Sequence, residues 1–367
     1  IKAKNAKTGR FEIFNKQFFN DTRTFKIRFE ITVNGKIAIS SELKLPNLKP
    51  RKSAVVQIPS KLLKSGAGAG ERFINFTLEH SLSTPWAHTG TEISNFQFAL
   101  PAKPLPKAKT VKMKSESVSS DGLILIPNAI VAPQLTLWRA PTDNDLIGHI
   151  AEKWDEWGLR ELTRTNTQVI RRANNTKIVN TWKTGSGIKI KHEQIVETVV
   201  DGIRVTESVL LPKVLDDVAR VGTNFELPSE LDQYIYFGTG PAETMPDRAI
   251  GKVHRWSSKV AEQYVPYVKP QENGGHVGVR WFTLSNQSSH GIYIQLDKPR
   301  MVTVTPMRST DIADATHNVF LQPSGNTVVT IDAIQRGVGT ASCGPDTLPK
   351  YKIKPGTYKW SWTLINF

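Results

Sequence analysis

Phe25-Lys26-Ile27-Arg28-Phe29-Glu30-Ile31-Thr32-Val33-Asn34-Gly35-Lys36-Ile37-Ala38-Ile39 decides the fold class. Apolar residues occupy every second position from Phe25 to Val33, with Lys26, Arg28, Glu30 and Thr32 between them. A period of two puts one face of a strand in a core and the other in water. Asn34-Gly35 is the strongest short hairpin signal, because both central positions of a tight hairpin turn need positive φ. Lys36-Ile37-Ala38-Ile39 is then the returning strand. Similar runs recur near residues 53–58 and 72–79, separated by proline and glycine. Short strands at this spacing over about 100 residues predict a sandwich of immunoglobulin type for residues 1–100.

Further along, Pro101-Ala102-Lys103-Pro104-Leu105-Pro106-Lys107 reads as a spacer, since proline removes donors and favours an extended chain. We place the linker at residues 101–110. Residues 111–367 again read as nearly all strand. The clear cases are Lys177–Lys183, Ile188–Val200, Ile203–Leu211, Tyr234–Phe237, Val279–Leu284, Ile292–Leu296, Val328–Ile334 and Tyr358–Leu364. Only two stretches look helical: Ile150, Trp154 and Trp157 at i, i+4, i+7 spacing, and Ser309–Ala315, which Ser309 would cap. A stretch this long with this many strands is too large for a simple immunoglobulin fold and predicts two large antiparallel sheets packed face to face. The whole chain is therefore expected to be all-β.

Composition narrows the function classes. The chain has 367 residues, 39% hydrophobic, with one cysteine, Cys343. Internal disulfides and a cysteine-rich metal site are excluded, and a reducing compartment suits it. No apolar run approaches a membrane span. The first residue is Ile1, and no signal-peptide pattern is visible; the chain reads as a fragment or a processed product. Residues 1–110 carry 19 Lys+Arg against 7 Asp+Glu, or +12 of the total +15. Those cations alternate with apolar residues along strands, as on a solvated sheet face, and no nucleic-acid-binding motif accompanies them.

Four polar, turn-rich segments are not explained by packing. Leu137-Trp138-Arg139-Ala140-Pro141-Thr142-Asp143-Asn144-Asp145 ends an apolar strand in a proline-fixed turn with two carboxylates and an amide. Gly238-Thr239-Gly240-Pro241-Ala242-Glu243-Thr244-Met245-Pro246-Asp247-Arg248 follows an aromatic strand. Tyr264-Val265-Pro266-Tyr267-Val268-Lys269-Pro270-Gln271-Glu272-Asn273-Gly274 ends in a Gln-Glu-Asn triplet. Gly337–Pro349, with Cys343 and Asp346, is a long loop before the last strand. Carboxylates, amides and aromatics together suit sugar, whose hydroxyls need donors and acceptors and whose ring faces stack on aromatic rings.

These segments, together with Tyr236-Phe237 and Arg280-Trp281, closely resemble the C-terminal domain of family 2 β-galactosidases over about residues 111–367. Residues 1–100 look like the immunoglobulin-like domain that precedes it. The resemblance implies a galactose-mutarotase-like supersandwich that packs against a catalytic (β/α)8 barrel and lends loops to the rim of its active site. The segment Asp145-Leu146-Ile147-Gly148-His149-Ile150 matches a mobile loop of the family, with Gly148 as its hinge. Rim candidates are Arg139, Asp143, Asn144, Asp145, Gly148, His149, Cys343 and Asp346. Glu243, Asp247 and Arg248, with Gln271, Glu272 and Asn273, form a structural polar motif; an ion pair among Glu243, Asp247 and Arg248, and a cation for Glu272, are expected. His317 is expected to be a polar core residue. Some members of the family carry a stacking tryptophan in the loop matching Ser342–Leu348; this chain has Cys343-Gly344-Pro345, and a small buried hydrophobe is one reading of Cys343.

The chain has no alternating strand–helix pattern, so it lacks the barrel. In the family both carboxyls of the retaining reaction sit on that barrel, as do the Mg and Na sites. The expectation is therefore a chain with no catalytic residue, no metal and no cofactor of its own. Its partners would be the barrel and N-terminal domains of a homo-oligomeric bacterial cytoplasmic β-galactosidase, together with a galactoside. A stand-alone carbohydrate-binding module, or the small chain of a split enzyme, is the alternative. An aldose 1-epimerase on the same scaffold is a third, which needs a histidine and a carboxylate across a sugar-sized cleft.

Overall fold

The computed structural model describes residues 1–67, 70–102, 109–111 and 117–367. Most of the linker expected at 101–110 lies outside the described residues. Two compact units emerge, residues 1–107 with 253–255, and residues 108–252 with 256–367.

The N-terminal unit is built from two small antiparallel sheets. One holds Lys2–Asn5, Arg10–Phe14 and Ser53–Gln57; the other runs Lys36–Leu43, Phe25–Val33, Arg72–His80, Glu92–Leu100. Val33 pairs with Lys36 across a two-residue loop. Asn34 and Gly35 have φ of 49° and 78°, as the hairpin requires. The alternating residues Ile27, Phe29 and Ile31 are buried beside Phe11, Ile74 and Phe76. Phe11 and Phe76 meet edge to face with centroids 4.8 Å apart, a geometry the ring quadrupoles favour.

The C-terminal unit differs from the expected pair of separate sheets. The twelve strands among its described residues belong to one connected sheet. The reason is the 15-residue strand Gly291–Thr305. Its first half, Ile292–Leu296, pairs with Gly356–Asn366, while its second half, Met301–Thr305, pairs with Asn326–Gln335. One long strand thus joins what would otherwise be two sheets. The centre is a large apolar cluster that includes Trp154, Trp182, Phe225, Tyr234, Trp360 and Trp362.

Helices are few. Ile150–Glu156 forms on the tryptophan spacing, with Ile150 and Trp154 turned into the core. Ser309–Asp314 forms too, but its cap position is Arg308 and Ser309 is its first helical residue. Asp143–Ile147, expected as loop, is a short helix. Its helicity comes from the capping box between Thr142 and Asp145, which satisfies end donors that apolar periodicity does not reveal. Among the described residues no helix is long and apolar enough to cross a membrane.

Candidate functional site

All four polar segments come together in the C-terminal unit, and Arg139 is the first link. It leaves the strand Val131–Thr136 fully buried and grips Asp145, with Nη2 2.8 Å from Oδ1 and Nε 3.2 Å from Oδ2. Asp145 also accepts from the Thr142 N–H and Oγ1, both at 2.9 Å. Arg139 Nη1 donates to the Arg336 carbonyl at 2.6 Å. Arg336 in turn binds Asp217 at 3.0 Å and Asp346 at 2.9 Å. A charged fork closed on both sides fixes orientation as well as distance.

Side chains then tie segment to segment. Asn144 donates to the Gly339 carbonyl at 3.0 Å and accepts from the Ser342 N–H at 2.9 Å. Asp247 accepts from the N–H groups of Val338 and Gly339 at 3.0 and 2.7 Å. Gln271 and Asp143 exchange hydrogen bonds, each 3.2 Å. Glu243 accepts from Arg248 at 2.5 Å, from the Gly274 N–H at 2.8 Å and from the Tyr267 hydroxyl. Asn273 accepts from the Val265 N–H at 2.9 Å. Glu272 takes its cation from Arg220. Lys352 lies 2.5 Å from Asp346. Burial opposes ionisation of Asp346, but Lys352 and Arg336 outweigh it and hold its carboxyl at about 2.

The placement corrects several sequence expectations. Arg139 and Asp145 are fully buried and paired with each other, with Thr142 and the Arg336 carbonyl completing their hydrogen bonds, so neither can meet a ligand at the surface. Asp143 and His149 are exposed, and Asn144 is half-buried. Gly148 has an ordinary negative φ of −77°; the left-handed residue is its neighbour His149, at φ 60°. Gly148 is required for space instead, since a Cβ there would lie 2.7 Å from the Asn144 carbonyl oxygen. Asp247 serves backbone N–H groups rather than Arg248. His317 is exposed rather than in the core. Cys343 is an exposed thiol, not a buried hydrophobe.

Sequence reasoning missed Arg220, Arg336, Asp217 and Asp332, which lie inside the unit. Their one signal is a charged residue interrupting a β-rich apolar run, as in Ala219-Arg220-Val221 and Ile331-Asp332-Ala333. It also missed two other buried networks. His276 lies between the Gln263 Oε1, 2.5 Å away, and the Tyr236 hydroxyl, 3.1 Å away; burial pushes its pKa down to about 4, so it is neutral near pH 7. His192 binds the fully buried Glu207 at 2.9 Å.

Of the exposed carboxylates on these segments, Asp143 faces the Gln271 amide and Asp346 is held by Arg336 and Lys352. Among the described residues no cluster of His, Cys, Asp and Glu could hold a metal ion.

Comparison with known proteins gives a consistent set of relatives. A family model described as beta galactosidase small chain matches residues 108–364, and one described as beta-galactosidase domain 4 matches residues 11–101. A β-galactosidase of Arthrobacter sp. strain B7 is 26% identical over 393 aligned positions, covering 94% of this chain and 38% of that protein. A β-galactosidase of Priestia megaterium is 23% identical, covering 94% and 36%. This chain therefore spans under two fifths of the length of those relatives. Among solved structures, a galactose mutarotase related enzyme from Lactobacillus acidophilus aligns at 9% identity and TM-score 0.34, over 64% of this chain and 83% of that one.

Proposed function

Because the chain belongs to the β-galactosidase small-chain family over residues 108–364, we propose that it is the non-catalytic C-terminal part of a bacterial cytoplasmic β-galactosidase. Its work is to support assembly with the barrel-bearing remainder and to lend the segments around 143–149 and 337–349 to the rim of that enzyme's galactoside site.

The observation that carries this reading is the convergence of the four polar segments. Fully buried ion pairs hold two of them from beneath, and Asn144 locks those two together at the surface. So much buried charge is an expensive way to stabilise a fold and a good way to fix a loop in one geometry. The exposed carboxylates, Asp143 facing an amide and Asp346 held by Arg336 and Lys352, suit orientation of hydroxyls.

The test is an assay on a chromogenic β-galactoside. The chain alone should give no turnover above a heat-killed control. Mixed with the remaining portion of a parent β-galactosidase, it should restore hydrolysis. Turnover by the chain alone would overturn the non-catalytic role. Galactose binding by the isolated chain with no restoration of activity would favour a stand-alone carbohydrate-binding module.

A further inference from the structure

Three arginines and four carboxylates are buried together beneath the two rim segments. Arg139, Arg220 and Arg336 are at most 2% exposed, and Asp145, Asp217, Glu272 and Asp332 at most 9%. Arg139 pairs with Asp145, Arg336 with Asp217, and Arg220 with Glu272. Asp346, 40% exposed, also binds Arg336 but brings Lys352 with it, so adding that pair leaves the difference between carboxylates and cations at one. One carboxylate is therefore left without a cation of its own.

Geometry identifies it. Asp145 has Arg139 and the Thr142 donors; Asp217 also accepts from the Ile353 N–H at 3.1 Å; Glu272 also accepts from Gln335 at 3.4 Å. Among the described residues neither oxygen of Asp332 accepts a hydrogen bond, and its nearest cation atom is Arg220 Nε, 3.4 Å away. Its surroundings supply nothing more. On the strand Arg220–Pro228 its cross-strand partner is Gly222, where even a Cβ would lie 2.5 Å from Asp332 Oδ1. On the strand Gly291–Thr305 the partner is Met301. Arg300 alternates to the opposite face and is paired with Asp297 at 2.7 Å. The charged groups that reach Asp332 are Arg220, Glu272 and, further off, Arg139.

An ionised carboxylate at full burial, with no donor on either oxygen and its one nearby cation shared with another carboxylate, is strongly disfavoured. We propose that Asp332 is a proton-binding site that closes the charge balance of this network. It is a neutral acid at mildly acidic pH and loses its proton as the pH rises through neutrality, leaving one uncompensated negative charge beneath the rim segments. Burial is the largest influence on Asp332; it and Glu272 outweigh the opposing pull of Arg220 and Arg139 and raise its carboxyl to about 7. Asp332 lies four residues before Arg336, whose carbonyl Arg139 holds, so the charge change falls under the joint between the two segments. The proposal concerns the chain itself and stands apart from the galactosidase reading.

Infrared difference spectroscopy on the intact chain tests it. One pH unit below the midpoint, the wild type should show the C=O stretch of a neutral, non-hydrogen-bonded carboxyl, and this band should fade with one-proton behaviour as the pH rises. Asp332→Asn should lack the band at every pH. Glu272→Gln should also abolish it below the midpoint, because removing one anion leaves three carboxylates for three arginines and frees Arg220 for Asp332. Absence of the band in the wild type, its persistence in Asp332→Asn or no change in Glu272→Gln would overturn the proposal. A midpoint that moves when sodium replaces potassium at constant ionic strength would also overturn it, pointing to a metal cation rather than a proton. Should Asp332→Asn fail to fold, the wild-type titration and Glu272→Gln decide the matter.

Discussion

The N-terminal unit fills its interior with hydrocarbon, whereas the C-terminal unit also fills part of its interior with charge. Among the described residues of the first, the buried charged residue is Arg72, which donates to the carbonyls of Ser65 and Leu63 and meets no described carboxylate. In the second, Arg139, Arg220 and Arg336 are buried with their carboxylates where polar segments meet the sheet. The difference follows from sequence. A sandwich strand carries an apolar residue at every second position, and hydrocarbon burial specifies its register. Segments such as Pro141–Gly148 have no such period, so apolar packing cannot aim them. Bidentate ion pairs and side-chain-to-backbone hydrogen bonds do so instead.

Arg139→Ala should break this contrast most severely. It leaves Asp145 buried without its cation, at a cost of ~3–5 kcal/mol, visible as a lower denaturant midpoint for the C-terminal unit. An unchanged midpoint would mean the network does not hold the fold there.

Two fully buried carboxylates of the C-terminal unit should give opposite pH slopes. Burial pushes Glu207 up, but His192, Thr223 and Trp362 outweigh it and leave its pKa lowered. Its stabilisation is present above the unfolded carboxylate value and is lost as pH falls. Asp332 is raised to about 7, so the folded chain keeps a proton that the unfolded chain releases. Stability should then decline from about pH 4 to about pH 7 and level off above, by up to ~4 kcal/mol from this group. Chemical denaturation across that window should show the decline in the wild type and a flatter profile in Asp332→Asn; equal slopes would contradict it.

Asn144→Ala should cost less, ~1–2 kcal/mol for its two hydrogen bonds, felt chiefly as faster amide hydrogen exchange in residues 337–349 with the sheet unaffected. Smallest is Arg28→Ala in the N-terminal unit. Arg28 is half-exposed and pairs with Glu79 at 2.9 Å across the surface of the sheet, and its loss should change stability by under ~1 kcal/mol. A larger loss would mean that charge matters in both units.

Much of the fold was legible in the sequence because period two is a local signal. The hairpin at Asn34-Gly35 and the strands around Lys189–Val199 and Gly356–Asn366 stand where alternation places them. The joining of the large sheet was not legible, since it depends on which neighbours the two halves of Gly291–Thr305 find. At the site, the four segments were visible as excess polarity, but which residues face water was not. Arg139 and Asp145, six positions apart, read as a surface cluster and are the most buried pair of the motif. The partners that bury them, Arg336 and Asp217, lie about 200 and about 70 residues away in sequence, beyond the reach of any local pattern.

The rim role is tested most directly by kinetics on the reassembled β-galactosidase carrying Asn144→Ala in this chain. The side chain joins the two rim segments and contributes nothing to bond cleavage in this account. KM for a β-galactoside should therefore rise several-fold while kcat stays within about two-fold, the signature of lost substrate binding. Unchanged KM and kcat, or a collapse of kcat at constant KM, would contradict it.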